Sequence, residues 1–305
     1  MSNAGAIQVP TVHPIVASVP SRRVVHMPLL RTSKTHDLLL RSIRRLAEWG
    51  VPVPPSSRID RAEQLLRRWA KPVEPLNDPE IRVRLAEAIR TAVELHVATH
   101  GPMGRPDALL LEKCREILGG ADLPGEEQQH VARDTQFELN VNGILAAGGF
   151  RPRLDASFGL RSGLGTEDAG VVVKRIWSQD RAHDQLSAAA SQIEASGMRG
   201  IIATNVQQYL DVVVTGDQPA EAQEQMTRLQ AQFPYLFGKK HVIGLLLCGT
   251  AAEWSDQDAT RPPQLRISTF NQLVTIAEDR DHEATLDTLF APFDAALRSW
   301  MTLNM

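Results

Sequence analysis

The sequence predicts an α/β fold, a central mixed sheet flanked by helices, preceded by an all-α N-terminal region. Three observations carry this. Between residues 31 and 125 the apolar residues recur at helical spacing. From residue 126 helical stretches alternate with short apolar runs, the pattern of a sheet covered by helices. Several of those runs are continuous, as in strands buried on both faces. The chain has 305 residues, enough to bury a full core. At 43% hydrophobic and 23% charged residues it excludes whole-chain disorder and collagen-like sequence, and two cysteines exclude a disulfide scaffold.

The elements follow in order. Residues 1–30, rich in Val, Pro and Ser, read as an extended arm, and Ser2-Asn3-Ala4 within it reads as a cloning remnant. Leu39, Ile43 and Leu46 form the apolar face of a first helix that Gly50 stops. Val51-Pro52-Val53-Pro54-Pro55 is a stiff link. Ala62, Leu65, Leu66 and Trp69 mark a second helix; Ile81, Leu85, Ile89, Ala92 and His96 mark a third. A fourth covers about 107–118 and ends at Gly119-Gly120. The helical region is therefore 31–125, and 126–305 is the α/β part with a helical tail.

That part opens with a helix near 127–147, closed by Gly148-Gly149. Strands are expected at 150–154 and 157–161, then a turn at Gly163 and Gly165. Val171-Val172-Val173-Lys174-Arg175-Ile176-Trp177 is a β-branched strand. A helix at 181–196, a strand at 200–206, a helix near 219–233, and strands at 241–248 and 264–268 follow. The tail, 283–303, should break at Pro292.

Charge is uneven. The net charge of -3 hides +7 in residues 1–75 and -10 in the remainder. The total argues against coating nucleic acid by charge alone, but leaves room for a local basic surface. Cys114 and Cys248 fit a reducing, cytoplasmic location. No apolar run reaches the roughly 20 residues that span a bilayer, so no membrane partner is expected.

In the α/β part, chemistry-bearing residues fall on successive elements. Glu138 lies on a helix, Asp155 between two strands, Lys174 in the third strand and Gln192 on the next helix. Two carboxylates so placed can converge on Mg²⁺, a hard cation that prefers oxygen ligands and activates water. A lysine beside them can stabilise charge developing on a phosphate.

Phe137-Glu138-Leu139-Asn140, Leu154-Asp155, Val172-Val173-Lys174-Arg175 and Gln192-Ile193, in this order, resemble the PD-(D/E)xK nuclease superfamily. The resemblance covers roughly 126–270 and implies a restriction-endonuclease-like fold. It implies that Glu138, Asp155, Lys174 and Gln192 form the catalytic set, with Glu138 and Asp155 as ligands of Mg²⁺ if the protein is active. Two positions depart from the motif: Leu154 stands for its proline, and Val172 for the acid of acid-x-Lys. Glu167 or Asp168 would have to supply the missing charge. Asp168 is six residues from Lys174, roughly 20 Å along an extended strand.

Each residue also has a plainer reading. Glu138 and Gln192 suit a solvated helix face, Asp155 a turn, and Lys174 strand alternation. His96 and His100 are spaced for zinc, but no third ligand is evident and packing is preferred. Gly163-x-Gly165 precedes a strand, which disfavours a phosphate loop. Cys248 reads as a core thiol. Ser178 has no evident His or Asp partner.

The basic stretch includes Arg22, Arg23, Arg31, Arg41, Arg44, Arg45, Arg58, Arg61, Arg67 and Arg68. It is a solvated face or a phosphate-contacting one. Arg44, Arg45, Arg67, Arg68 and Arg175 are the candidate nucleic-acid contacts. The expectation is a nuclease-fold protein impaired in catalysis that binds DNA or a protein partner. The alternatives are an active Mg²⁺-dependent endonuclease with a migrated acid, and a regulatory interaction module that keeps only the fold.

Overall fold

The computed structural model describes residues 24–26, 32–70, 78–102, 106–126, 129–155, 158–164, 167–177, 179–205, 236, 239–255, 264–276 and 280–305. Most of the expected arm, the helix expected near 219–233, Gly165 and Ser178 lie outside them.

The helical region holds α1 (Thr32–Glu48), α2 (Arg58–Trp69), α3 (Pro79–His100) and α4 (Ala108–Glu116). Their starts follow from local chemistry. Ser57 caps α2 by accepting from Asp60 N, and Asp107 caps α4 by accepting from Leu110 N. Asp78 caps α3, whose first residue, Pro79, needs no N–H there.

The second part runs α5 (Val131–Ala147), β2 (Arg151–Asp155), β3 (Gly159–Leu164), β4 (Glu167–Lys174), α6 (Gln179–Ser196), β5 (Gly200–Asn205), β6 (Val242–Ser255), β7 (Gln264–Thr275) and α7 (Arg280–Asn304). A short strand of the arm, β1 (Val24–His26), pairs with β7. Among the described residues the sheet has seven strands in the order β1-β7-β6-β5-β4-β3-β2. β4, β5 and β6 are parallel neighbours; the other pairs are antiparallel. The fold is therefore α/β with a mixed sheet, as expected.

β6 and β7 run well past their apolar runs, and β4 starts earlier than its β-branched run but stops at Lys174. Gly163 is not in a turn but in β3, opposite Asp168 of β4. The hairpin continues past the β-branched residues because ladder hydrogen bonds do not need them. Pro292 does not break the tail; it sits inside α7. An interior proline costs about 3 kcal/mol. Phe290, Phe293, Leu297 and Met301 around it are buried, and each large apolar side chain returns about 1.5–3 kcal/mol.

Two cores sandwich the sheet. The first packs Leu38, Leu85, Ile89, Phe137, Val171, Ile201, Leu246, Leu273, Phe290 and Phe293, among others. The second packs Phe158, Val172, Leu186, Ile193, Ile202, Leu245 and Val274. Val171 and Val172 point to opposite cores, as do Ile201 and Ile202, by the strand period of two. In β6 a bulge interrupts this: Gly200 pairs with Val242 but Ile201 with Gly244. The extra residue, Ile243, lets Val242 and Leu245 share the second core.

α3, α5 and α7 cover one face and α6 the other, while α1 and α2 stack on α3. The first core thus runs without a break from the helical region into the sheet. Residues 31–125 and 126–305 differ in texture but share that core. The α3–α5 crossing is close at Gly143, where a Cβ would lie 2.2 Å from Val97 O. No described helix is long and apolar enough to cross a membrane.

Candidate functional site

The residues singled out in sequence meet in one place. Glu138 from α5, Asp155 from the end of β2, Lys174 from the end of β4 and Gln192 from α6 line a single cleft of about 600 Å³. Lys113 of α4 and Asp134, Thr135, Phe158, Gly159, Val172 and Gln185 complete much of its wall. The local fold explains the convergence. β2 and β3 form a hairpin with Asp155 opposite Gly159, and Gly159 is in turn opposite Val172 of β4. The acidic tip and the lysine strand are therefore neighbours across three strands. α5 precedes this meander and α6 follows it, so each brings its polar residue to the same rim.

Gly159 has a specific job there. Its φ is +86°, in the region that favours glycine, and a Cβ would lie 2.9 Å from Glu138 Oε1. Glycine thus lets the Glu138 carboxylate press against the hairpin. Oε1 is buried there without a hydrogen-bond partner. Oε2 accepts from Lys113 Nζ at 2.6 Å. Burial pushes the Glu138 carboxyl above the usual carboxylate range, and Lys113 opposes that shift.

Asp155 is equally occupied. Oδ1 accepts from the backbone N–H of Phe158 at 3.1 Å, and Oδ2 lies 2.8 Å from Arg161 Nε. The Arg161 guanidinium also sits over the Phe158 ring, 5.5 Å from its centroid. Lys174 differs: it is half-buried, and its side chain has no hydrogen bond or ion pair among the described residues.

The donor set does not fit a divalent cation. Val172 is 2% exposed and packs in the second core, so the acid position offers hydrocarbon. Asp168 does not replace it. It lies at the far end of β4, away from the cleft, and pairs with Arg153. Glu138 and Asp155 remain, and each already faces a cation of the chain. Among the described residues no group of three His, Cys, Asp or Glu could hold a metal ion.

Two arginines, Arg175 and Arg58, correct the sequence reading. Arg175 is not a surface contact. It is 8% exposed and donates through Nη1 to Glu94 Oε2 and to Arg133 O, both at 3.1 Å. The reason is strand alternation: Val171, Val173 and Arg175 face the first core while Val172 and Ile176 face the second, and Asn205 fixes Ile176 by bonding both its backbone groups. Arg58 is also interior, donating to Thr91, Ile117 O and Gln136. His96 and His100 stack, with ring centroids 4.3 Å apart. His96 Nε2 donates to Asn304 O at 3.1 Å, a packing role. Cys248 is buried, and burial pushes its thiol up.

Arg44, Arg45, Arg67 and Arg68 are exposed. Arg67 and Arg68 line a second cleft of about 500 Å³ between α2 and α3, with Arg61, Arg84 and an apolar floor at Ala62, Leu65 and Ala88. Arg61 and Arg84 are both held by Asp122. Arg41, Arg44 and Arg45 lie along α1 beside His100.

Sequence reasoning missed Lys113, Arg161 and Trp177. The Trp177 ring stacks on His130 at 4.2 Å, and its Nε1 donates to Asp134, a cleft residue. Only Arg161 had a readable signal. Given the hairpin, it lies two residues beyond the partner of Asp155, on the same face.

No protein family, curated protein or solved structure matches the chain.

Proposed function

We propose that this chain is a nuclease-like protein that binds nucleic acid and does not cut it. The observation that carries the reading is the common cleft of Glu138, Asp155, Lys174 and Gln192, with Val172 where an acid would stand. Convergence from four elements supports the nuclease resemblance, since residues placed for unrelated reasons have no cause to meet. The same cleft argues against cleavage. A hydrolytic metal needs free oxygen ligands, and here both carboxylates are held by Lys113 and Arg161. The exposed arginines of α1 and α2 supply a phosphate-contacting surface in the same chain.

The test is to incubate the protein with labelled single-stranded and duplex DNA and RNA, in Mg²⁺ and in Mn²⁺. The expected result is salt-dependent binding with intact nucleic acid. Cleavage that disappears in Asp155→Ala and Lys174→Ala would overturn the non-cutting reading. Absence of binding to every nucleic acid would overturn the proposal and favour an interaction module.

A further inference from the structure

Lys113 belongs to α4, in the helical region, yet its ammonium lies inside the nuclease-like cleft. The Lys113–Glu138 pair is mostly shielded, with side-chain exposures of 22% and 13%. At 2.6 Å it is a charge-assisted hydrogen bond. A carboxylate this buried needs a counter-charge, because an isolated one is too costly to desolvate. In a two-carboxylate cleft a divalent ion can meet that need. Here the chain meets it itself, with Lys113 on Glu138 and Arg161 on Asp155.

This changes what the cleft attracts. With those carboxylates neutralised, and Arg175 held by Glu94, Lys174 is the cation of the wall without an ion-pair partner among the described residues. Asp134 is engaged by Trp177 Nε1. The remaining oxygen of Glu138, Oε1, is shut against Gly159 and inaccessible to an ion from solvent. A divalent cation entering the cleft would meet Lys113 and Lys174 and find Glu138 and Asp155 each already paired with a cation of the chain. A phosphodiester carries one negative charge and meets the reverse situation at Lys174. Amide groups of Gln185 and Gln192 lie on the same wall.

We infer that Lys113 is a resident cation, occupying the charge-neutralising place of a divalent ion at Glu138, so that the cleft receives a phosphodiester at Lys174 without metal. The inference rests on the nucleic-acid reading above and specifies its chemistry. It also makes the helical region part of the site.

The experiment measures binding of a fluorescein-labelled DNA 20-mer, single-stranded and duplex, in EDTA, in Mg²⁺ and in Mn²⁺. Wild type should bind in EDTA at least as well as in Mg²⁺ or Mn²⁺, whose ions compete for the phosphates. Lys113→Ala should lose about tenfold in EDTA, equivalent to about 1.4 kcal/mol, and Mn²⁺ should restore much of the loss. Lys113→Arg, which keeps the charge, should bind in EDTA like wild type. Thermal midpoints of the variants show that each is folded under the assay conditions, and Lys113→Arg carries the test if Lys113→Ala is not. Wild-type binding that requires Mg²⁺ or Mn²⁺ would overturn the inference while leaving the nucleic-acid reading intact. So would Lys113→Ala that binds like wild type in EDTA, Lys113→Ala that Mn²⁺ does not rescue, or Lys113→Arg that binds weakly. Wild type that binds neither probe in any condition would instead overturn the reading on which the inference stands.

Discussion

Glu94 of α3 and Arg175, the residue after β4, form an ion pair at 3.1 Å in the interior, where the helical region meets the lysine strand. The same Glu94 oxygen accepts from Gln136 of α5 at 2.6 Å, and Gln136 accepts from Arg58 of α2, also at 2.6 Å. One chain of buried polar groups therefore links α2, α3, α5 and the residue after Lys174. Near it, Arg133 donates to Glu87 at 3.0 Å, and Glu87 also pairs with Arg90. The cleft is positioned by this network as well as by the sheet.

Its first consequence is energetic. Removing one partner of a buried pair leaves an uncompensated charge, at a cost of about 3–5 kcal/mol. Glu94→Ala is expected to destabilise by that amount, since it strands Arg175 and an amide of Gln136. Replacing Glu94 and Arg175 together with apolar residues should cost much less than the sum of the single changes. Denaturant unfolding of the two single variants and the double variant checks this, and equal additivity would show the pair is not coupled.

A second expectation concerns the hairpin. Gly159→Ala puts a Cβ on a residue at φ +86° and pushes it to 2.9 Å from Glu138 Oε1. The backbone strain alone is worth about 1–2 kcal/mol. The variant should lose at least that much stability and displace Glu138 from Lys113. Gly197→Ala serves as the control: its φ is +68°, but a Cβ there meets nothing within 4 Å. A greater loss for Gly159→Ala, read by thermal unfolding, isolates the contact with Glu138.

How much of this was readable beforehand depends on the range of the signal. Glu138, Asp155, Lys174 and Gln192 sit on consecutive elements joined by a hairpin and short connections. Their meeting needs only local strand pairing, which periodicity and turn residues encode. Lys113 comes from 25 residues before Glu138 and from another region. Nothing in the spacing of α4 marks that lysine out, because its partner is set by how α4 packs on α5. Arg175 illustrates the opposite failure. Beside Lys174 it reads as part of a basic strand end, yet it shares the face of Val171 and Val173, which packs against α3 and α5 rather than meeting solvent. Local propensity predicts a break at Pro292, but α7 runs through it because Phe290 and Phe293 supply burial that propensity cannot include.

Histidine chemistry gives a pH expectation. Burial, then the nearby His100 and the cations Arg41 and Lys34, lower the His96 pKa from 6.5 to about 3, against the bond to Asn304 O. His100 is lowered as well, mainly by burial. A folded-state pKa below the unfolded one means that the unfolded chain binds the proton first. Stability from these neutral rings is complete above pH 6.5 and is lost as pH falls from 6.5 towards 3. At about 1.4 kcal/mol per unit, His96 alone contributes a loss of several kcal/mol across that window. His96→Gln keeps a donor for Asn304 O and does not titrate. Its unfolding free energy should therefore fall less steeply than wild type between pH 6.5 and 3, and parallel curves would contradict the assignment.

The exposed arginines and the buried one should separate cleanly in a binding assay. Arg67→Glu with Arg68→Glu changes side chains that are exposed at the end of α2. Arg44→Glu with Arg45→Glu does the same on α1, apart from the Arg45–Glu48 pair at 3.0 Å. If these residues touch phosphates, each contact removed lowers affinity for all DNA sequences alike. It also reduces the slope of log affinity against log salt by about 1. Unfolding should barely change, because surface pairs contribute about 0–1 kcal/mol. Arg175→Gln should behave in the opposite way. It removes the counter-charge of buried Glu94, so stability falls, while the salt slope of whatever protein remains folded stays that of wild type. Measuring salt slope and unfolding free energy on the same variants thus distinguishes a phosphate contact from a structural charge. An unchanged slope in both double variants would exclude α1 and α2 as the phosphate-contacting face.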